Sequence, residues 1–416
     1  MATPQSIRYL NKVQALNAMF RGGGMSRSDL ARRLGLNRAS VGYIVQDLLA
    51  EGLAVEHPEA ERADGTQRSG RPGIVVSLNP AGAEFVGVEI GVDHITVAIV
   101  DLVGNECCRH SVDYATATKS PKVGLRKVTD LVYETIESRM ERKSRVNGVC
   151  VAVPGLIRDG VVVNALMLGW RDLPLQSILQ ETLGPEMKVM VENDANALAI
   201  GVTYPMPSNP TDTVACLNIE NGVGGGIAIG GKLFRGAAGF SGEFGQLPLG
   251  GKGFCAGPFR PGHLESYIGK EAVLARYQAN GGGAIQDFHL FLQALGRQEK
   301  EAVKTAYDWA DRLAQGLTQV IHVINPGKIV LGGSVAQIYP HVQQRVQNTV
   351  EKEFLAGFPL PDIGLPSSNT GGTAFGAACL LHQFMFSVDE EIVHATGDSP
   401  MPIRSSNSRR STQREL

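Results

Sequence analysis

The chain has 416 residues, 43% of them apolar and 19% charged, which suits two or three folded domains and excludes a disordered polymer. Its net charge of −2 at pH 7 excludes a basic nucleic-acid coat over the whole length. No apolar run reaches the ~18 residues of a membrane span, and the opening MATPQSIRYLNK lacks the apolar stretch of a signal peptide, so no membrane partner is expected.

The charge is unevenly spread. Residues 1–50 hold seven Lys or Arg against two acids, a local excess of five positive charges that is the footprint of a DNA-binding head. Ile7, Leu10, Val13, Leu16 and Phe20 recur at helical spacing until the glycines at 22–24 stop the helix. Ser26-Arg27-Ser28-Asp29 opens a second helix with a polar cap, and Gly35-Leu36-Asn37 makes a tight turn. RASVGYIVQDLLAEG then forms a third helix that turns Val41, Ile44 and Leu48 inward. This is the helix-turn-helix pattern, whose second helix meets the major groove. Arg38, Ser40 and Tyr43 fall at the exposed start of that helix, and with Arg27 and Asn37 they are the candidate contacts to double-stranded DNA. LAVEHPE and GIVVSLNP read as two strands around a long polar wing, in which Arg71 beside Pro72 can reach into a minor groove. The predicted head is residues 1–80; three helices of this kind also suit a protein-interaction module.

Beyond it, FVGVEIGVDHITVAIVDLVGNECCRHSVDY reads as three successive strands, with Asp93-His94 and Gly104-Asn105 at the turns. TVACLNIENGVGGGIAIGGKLFRG repeats the layout about 130 residues later. Two such units, each followed by helices, predict a duplicated α/β body with a cleft between lobes over 81–200 and 201–388, the last helix returning to the first lobe. VMVENDANALAIG places Glu192-Asn193-Asp194 at a strand end before a helix. Asn193 and Asp194 can serve vicinal hydroxyls there, and Asp194 can equally be a plain helix cap. NGVGGGI at 221–227 can converge its amides on an anion or be a simple hairpin, and IVLGGSVA at 329–336 reads as a buried strand turning into a helix. The six cysteines, without a CxxC pair, read as small buried hydrophobes in a reducing cytoplasm. Residues 389–416 are polar, rich in Ser and Arg, and read as a flexible tail.

Taken in order, SGRP and LN in the wing, GVEIG, VPGLI, NALMLGW, ENDAN, NGVGGGI, GFSGEFG, GHLE and VLGGS resemble the ROK family of repressors and sugar kinases, over about 10–385. The resemblance implies an α/β protein: an N-terminal winged helix-turn-helix, then a bilobal actin-like, ribonuclease H-like sugar-kinase fold. It implies a transcription regulator, a homo-oligomer (dimer or tetramer), whose sugar effector alters operator binding. By it, Asn193, Asp194, Glu243 and Glu265 bind the sugar, and Asp194 stands where the kinases keep their general base. A carboxylate beside two vicinal hydroxyls accepts two charge-assisted bonds.

Two departures qualify that resemblance. The family's zinc-binding His position is Gln246, and its cysteine cluster has become CAGPFRPGH, leaving Cys255 and His263. A structural zinc needs four tight N or S ligands, so no metal and no cofactor are expected, although His289 could rescue a site. Gln246 and His263 are then available to the effector, or His263 keeps a structural place in the loop. In the phosphate loops, Glu89 and Asp93 stand in the first and Glu220-Asn221 in the second, so both have gained negative charge that repels a γ-phosphate. The sequence reading is therefore a non-enzymatic, sugar-controlled DNA-binding repressor. The alternatives are an ATP-dependent sugar kinase with an accessory head, and a scaffold regulated by a protein partner.

Overall fold

The computed structural model describes residues 4–58, 74–139, 145–204, 209, 211–254, 259–366 and 371–387. The head holds α1 (Pro4–Gly22), β1 (Met25–Ser26), α2 (Arg27–Leu34), α3 (Arg38–Ala50), β2 (Ala54–Pro58) and β3 (Ile74–Leu78). The Ser26 hydroxyl accepts from the Asp29 amide at 3.1 Å and starts α2, and Asn37 Oδ1 accepts from the Ser40 amide at 2.8 Å and starts α3. Strands β2 and β3 pair antiparallel, Ala54 opposite Leu78, and β1 adds to the other side of β3. The predicted wing with Arg71, the loop around Cys255 and the predicted tail lie outside the described residues.

The body carries two five-stranded sheets of the same topology. The first comprises β4 (Glu84–Ile90), β5 (His94–Asp101), β6 (Glu106–Asp113), β7 (Val146–Val153) and β11 (Val189–Asn193), in the order β11-β7-β4-β5-β6. The second comprises β12 (Thr213–Ile219), β13 (Val223–Ile229), β14 (Lys232–Leu233), β15 (Lys328–Gly332) and β16 (Asp362–Gly364), in the order β14-β13-β12-β15-β16. Each begins with an antiparallel meander and adds two parallel strands beside its first strand. The predicted duplication is thus present at the level of strand order. A small third sheet, β8 (Leu156–Arg158), β9 (Val161–Ala165) and β10 (Trp170–Leu173), was not anticipated from the sequence.

The strands of the first sheet read as near-continuous apolar runs because both faces are covered. Val86, Val88, Val97 and Ile99 face α4 (Pro121–Glu137) and α5 (Leu175–Leu183), while Phe85 and Val100 face α12 (Gly372–Met385). In the second sheet, Leu217 and Leu331 pack into the core formed with α7 (Glu265–Ile268), α8 (Lys270–Ala279), α9 (Phe288–Gly296), α10 (Lys300–Ile324) and α11 (Tyr339–Glu351). Its other face, with Cys216 and Val330, meets Leu198 and Ala199 of α6 (Asp194–Thr203). Helices α6 and α12 cross in close contact between the sheets. A Cβ on Gly376 would overlap the Ala197 carbonyl, and one on Gly87 would overlap the Ala374 carbonyl.

Cys150, Cys216 and Cys379 are buried and free, as small hydrophobes, whereas Cys107 and Cys108, on the edge strand β6, are free and only half-buried. Among the described residues no helix is long and apolar enough to cross a membrane. The head does not have a core of its own: Leu16, Leu30 and Leu48 belong to one apolar cluster with Phe85, Leu102 and Leu380 of the body.

Candidate effector cavity and DNA-contact face

Strand β11 ends at Asn193 and α6 begins at Asp194, and this corner opens into a cavity of about 610 Å³ between the sheets. The helix cap is Asn193: its Oδ1 accepts from the Asn196 amide at 3.0 Å and its Nδ2 donates to the Gly155 carbonyl at 3.0 Å. That corrects the alternative in which Asp194 caps the helix. One lone pair and one amide hydrogen of Asn193 are left for a ligand. Asp194 accepts from the Ala195 amide and from Asn218 Nδ2, both at 2.9 Å, and lines the cavity. Burial raises its pKa to about 6, against the hydrogen bond from Asn218.

Glu243 and Glu265 line the same cavity. Glu243, although open to solvent, is pushed up to about 7 by partial burial, then by the like charges of Asp194 and Glu265. Glu265 is buried and also raised, mainly by burial, while its Oε1 accepts from Gln246 Nε2 at 2.6 Å. Gln246 therefore lines the cavity and braces Glu265 at once. Among the described residues no Lys or Arg pairs with these three carboxylates.

His263 does not line the cavity. Its backbone pairs with Pro248, its buried Nδ1 has no hydrogen-bond partner, and its imidazole lies close enough to Glu265 to favour that carboxylate's charge. Its backbone bridge gives it the structural place in the loop that the sequence also allowed, beside the cavity carboxylate Glu265. Arg260 and Phe259, from the altered loop, do line the cavity, and sequence reasoning passed over both. His289 is exposed on α9, and among the described residues no group of three His, Cys, Asp or Glu side chains comes together as a metal site.

The phosphate-loop end of the cleft is built differently. Glu89 and Asp93 are there as read, but His94 sits between them, with Nδ1 2.9 Å from Asp93 and Nε2 3.5 Å from Glu89. The bond to Asp93, then that to Glu89, raises His94 to about 10 and holds Asp93 well below the usual carboxylate range. Lys270, at the start of α8, reaches across to Asp93 of the other lobe at 3.3 Å and lies 3.5 Å from Glu220 of its own. Glu220 in turn accepts from the amide and hydroxyl of Ser334, at 2.5 and 2.6 Å, after the Gly332-Gly333 turn. The chain's own carboxylate thus fills both donors of Ser334. The expectation of a purely acidic cradle is corrected: two cations, His94 and Lys270, offset most of it. Neither stood out, because their partners are remote or were read only as turn residues.

In the head, the same sorting removes most of the basic block. Arg8 pairs with Asp47, Lys12 with Glu51, Arg27 with Glu56 and Arg32 with Asp29, while Arg21 packs over Phe20 and Tyr204. Arg27 is thus engaged within the head, and Asn37 uses its Oδ1 in the cap of α3. Arg38 begins α3, exposed and without an ion pair among the described residues, beside Ser40 and a Tyr43 that is 70% exposed.

A helix-turn-helix head fused to a duplicated, two-sheet body with a carboxylate-lined cleft defines a class: a DNA-binding head on an actin-like sugar-site fold. The chain belongs to the ROK family, whose model matches residues 85–384, and a MarR family model matches residues 10–63 of the head. It is 23% identical to a xylose repressor of Caldicellulosiruptor bescii, over 92% of this chain and 98% of that protein. Its fold resembles the crystal structure of a ROK family transcriptional regulator, a homolog of the E. coli MLC protein, with a TM-score of 0.70 and 21% identity over 94% of this chain and 100% of that one. It also resembles a ROK family glucokinase from Streptomyces griseus in complex with glucose and AMPPNP, with a TM-score of 0.62 and 24% identity over 72% of this chain and 99% of that one.

Proposed function

We propose that the protein is a sugar-responsive, DNA-binding transcriptional repressor of sugar or polyol uptake and catabolism genes, whose body has lost phosphoryl transfer. The carrying observation is which charges are left unpaired. In the head they include Arg38, at the tip of the recognition helix; in the cleft they are Asp194, Glu243 and Glu265, facing a cavity with ample room for a sugar. Unpaired carboxylates with neighbouring amides suit the hydroxyls of a neutral sugar or polyol. In a homo-oligomer, two recognition helices about 34 Å apart would read a palindromic operator, with effector binding biasing the heads' separation. Glu220 already fills the Ser334 amide and hydroxyl, which leaves that turn fewer donors for the polyphosphate a kinase must hold.

The test enriches duplexes from a random library with the full chain, then titrates the complex with D-xylose, D-glucose, polyols, uronates and sugar phosphates. Release or tightening by a neutral sugar is expected. Arg260 makes the uronates the informative second arm, since a preference for them would move the effector class to acidic sugars. Steady ATP consumption with any of these sugars would instead select the kinase reading, for which Asp194 is the group in place.

A further inference from the structure

Helix α6 starts at the cavity with Asp194 and, ten residues and about 15 Å later, ends against the head. Its last turn delivers Tyr204, whose hydroxyl meets His382 Nδ1 at 2.8 Å. His382 Nε2 meets the Leu102 carbonyl at 2.9 Å. Burial lowers His382 to about 4, so the ring is neutral, and a carbonyl can only accept. Nε2 therefore carries the proton, and Nδ1 accepts from the Tyr204 hydroxyl. Helix α12 starts at the phosphate-loop end, where Gly372 and Thr373 line a second cavity, and is capped by Phe386, whose ring stacks on His382 at 4.4 Å. Both helices that begin at the cleft thus end in one aromatic socket.

The head is keyed into that socket by the end of α1. The Phe20 ring lies 4.8 Å from His382, 5.2 Å from Phe386 and 5.5 Å from Tyr204. Arg21 donates to the Tyr204 carbonyl at 3.3 Å with its guanidinium over the Tyr204 ring, and Asn17 donates to the Phe386 carbonyl. Between cleft and socket, α6 and α12 touch backbone to backbone at Gly201 and Gly376, so neither can shift without the other. A well-packed contact of this kind passes on small displacements because it cannot absorb them.

We propose that Phe20 and Arg21 are positioning residues that couple occupancy of the Asp194 cavity to the orientation of the recognition helix, through the Tyr204–His382–Phe386 socket. The inference rests on the DNA-binding reading above. Coupling between sites is reciprocal, so DNA on the head must be felt at the start of α6 whatever the effector is. The measurement is amide hydrogen exchange of the full-length protein, with and without a duplex that the wild type enriches from a random library. In the wild type, duplex binding is expected to change exchange in the first turn of α6 about fivefold or more, the low end of the usual coupling range. Phe20→Ala and Arg21→Ala are expected to bind the duplex within about threefold of wild type and to lose that change, which separates coupling from affinity. Protection of α1 to α3 reports whether Phe20→Ala keeps its head folded; the exposed Arg21 carries the test if it does not. The proposal is overturned if these variants show the wild-type change, or if the wild type shows none. Failure to enrich any duplex defeats the DNA-binding reading first, and this inference with it.

Discussion

The two ends of the cleft both hold three carboxylates, and they differ in what faces them. At the phosphate-loop end, Glu89, Asp93 and Glu220 are met by His94, Lys270 and Ser334, so their charge is consumed inside the fold. At the other end, Asp194 meets Asn218, Glu265 meets Gln246 with the His263 imidazole nearby, Glu243 meets the like charges of both, and all three pKa values rise. Charged groups with their partners built in hold a structure together; charged groups left without a counterion are waiting for a ligand. The head repeats the contrast, with Arg27 paired to Glu56 and Arg38 unpaired.

The largest expected effect breaks the ligand end. Asp194→Ala removes an acceptor of two charge-assisted bonds worth about 1.5–3 kcal/mol each. Effector affinity, read by calorimetry with the sugar that releases DNA, is expected to fall about 100-fold or more with operator binding intact. A normal response in this variant would place the effector elsewhere. Next, Arg38→Ala should weaken operator binding about 10- to 100-fold without changing effector affinity, whereas Arg27→Ala should stay within about twofold. Equal losses in a mobility-shift titration would erase the distinction drawn between paired and unpaired head cations.

The third prediction uses acidity. Asp194 and Glu243 titrate at about 6 and about 7 in the fold, above ordinary unfolded values. The folded chain therefore binds more protons than the unfolded one between about pH 4 and 7, and this contribution lowers stability as pH rises through that window. Sugar affinity should move the opposite way, up to about tenfold per pH unit for each proton released, because the bonds need the ionised forms. An Asp194→Asn, Glu243→Gln double variant should flatten the stability slope in thermal melts; an unchanged slope would assign it to other groups. The smallest effect tests the compensated end: Lys270→Met should cost about 1 kcal/mol, since Asp93 is largely exposed, and a double-mutant cycle with Asp93→Asn, itself costly through the bond to His94, should show coupling between the two. Additive losses in that cycle would mean that the cross-lobe pair contributes nothing measurable.

Much of this was legible in the residues. The caps at Ser26 and Asn37, the inward Val41, Ile44 and Leu48, and the repeated strand meander follow from short-range rules of spacing and capping. Acidity at Glu89, Asp93 and Glu220 was visible too, but its neutralisation was not. Lys270 lies 177 positions from Asp93, and nothing local marks it. His263 read either as a group freed for the effector by loss of the metal cluster or as a structural part of the loop, and only the fold shows its backbone bridged to Pro248 with its imidazole near Glu265.

By itself the amino-acid order determined the helix-turn-helix, the duplicated body and the carboxylates available to a sugar, because propensity, periodicity and charge are properties of adjacent residues. Tertiary structure decided which of those charges remain unpaired and that the head shares its core with the body through Phe20 and His382. Pairing and packing of that kind depend on distances between residues hundreds of positions apart, which only the folded chain brings within a few ångströms.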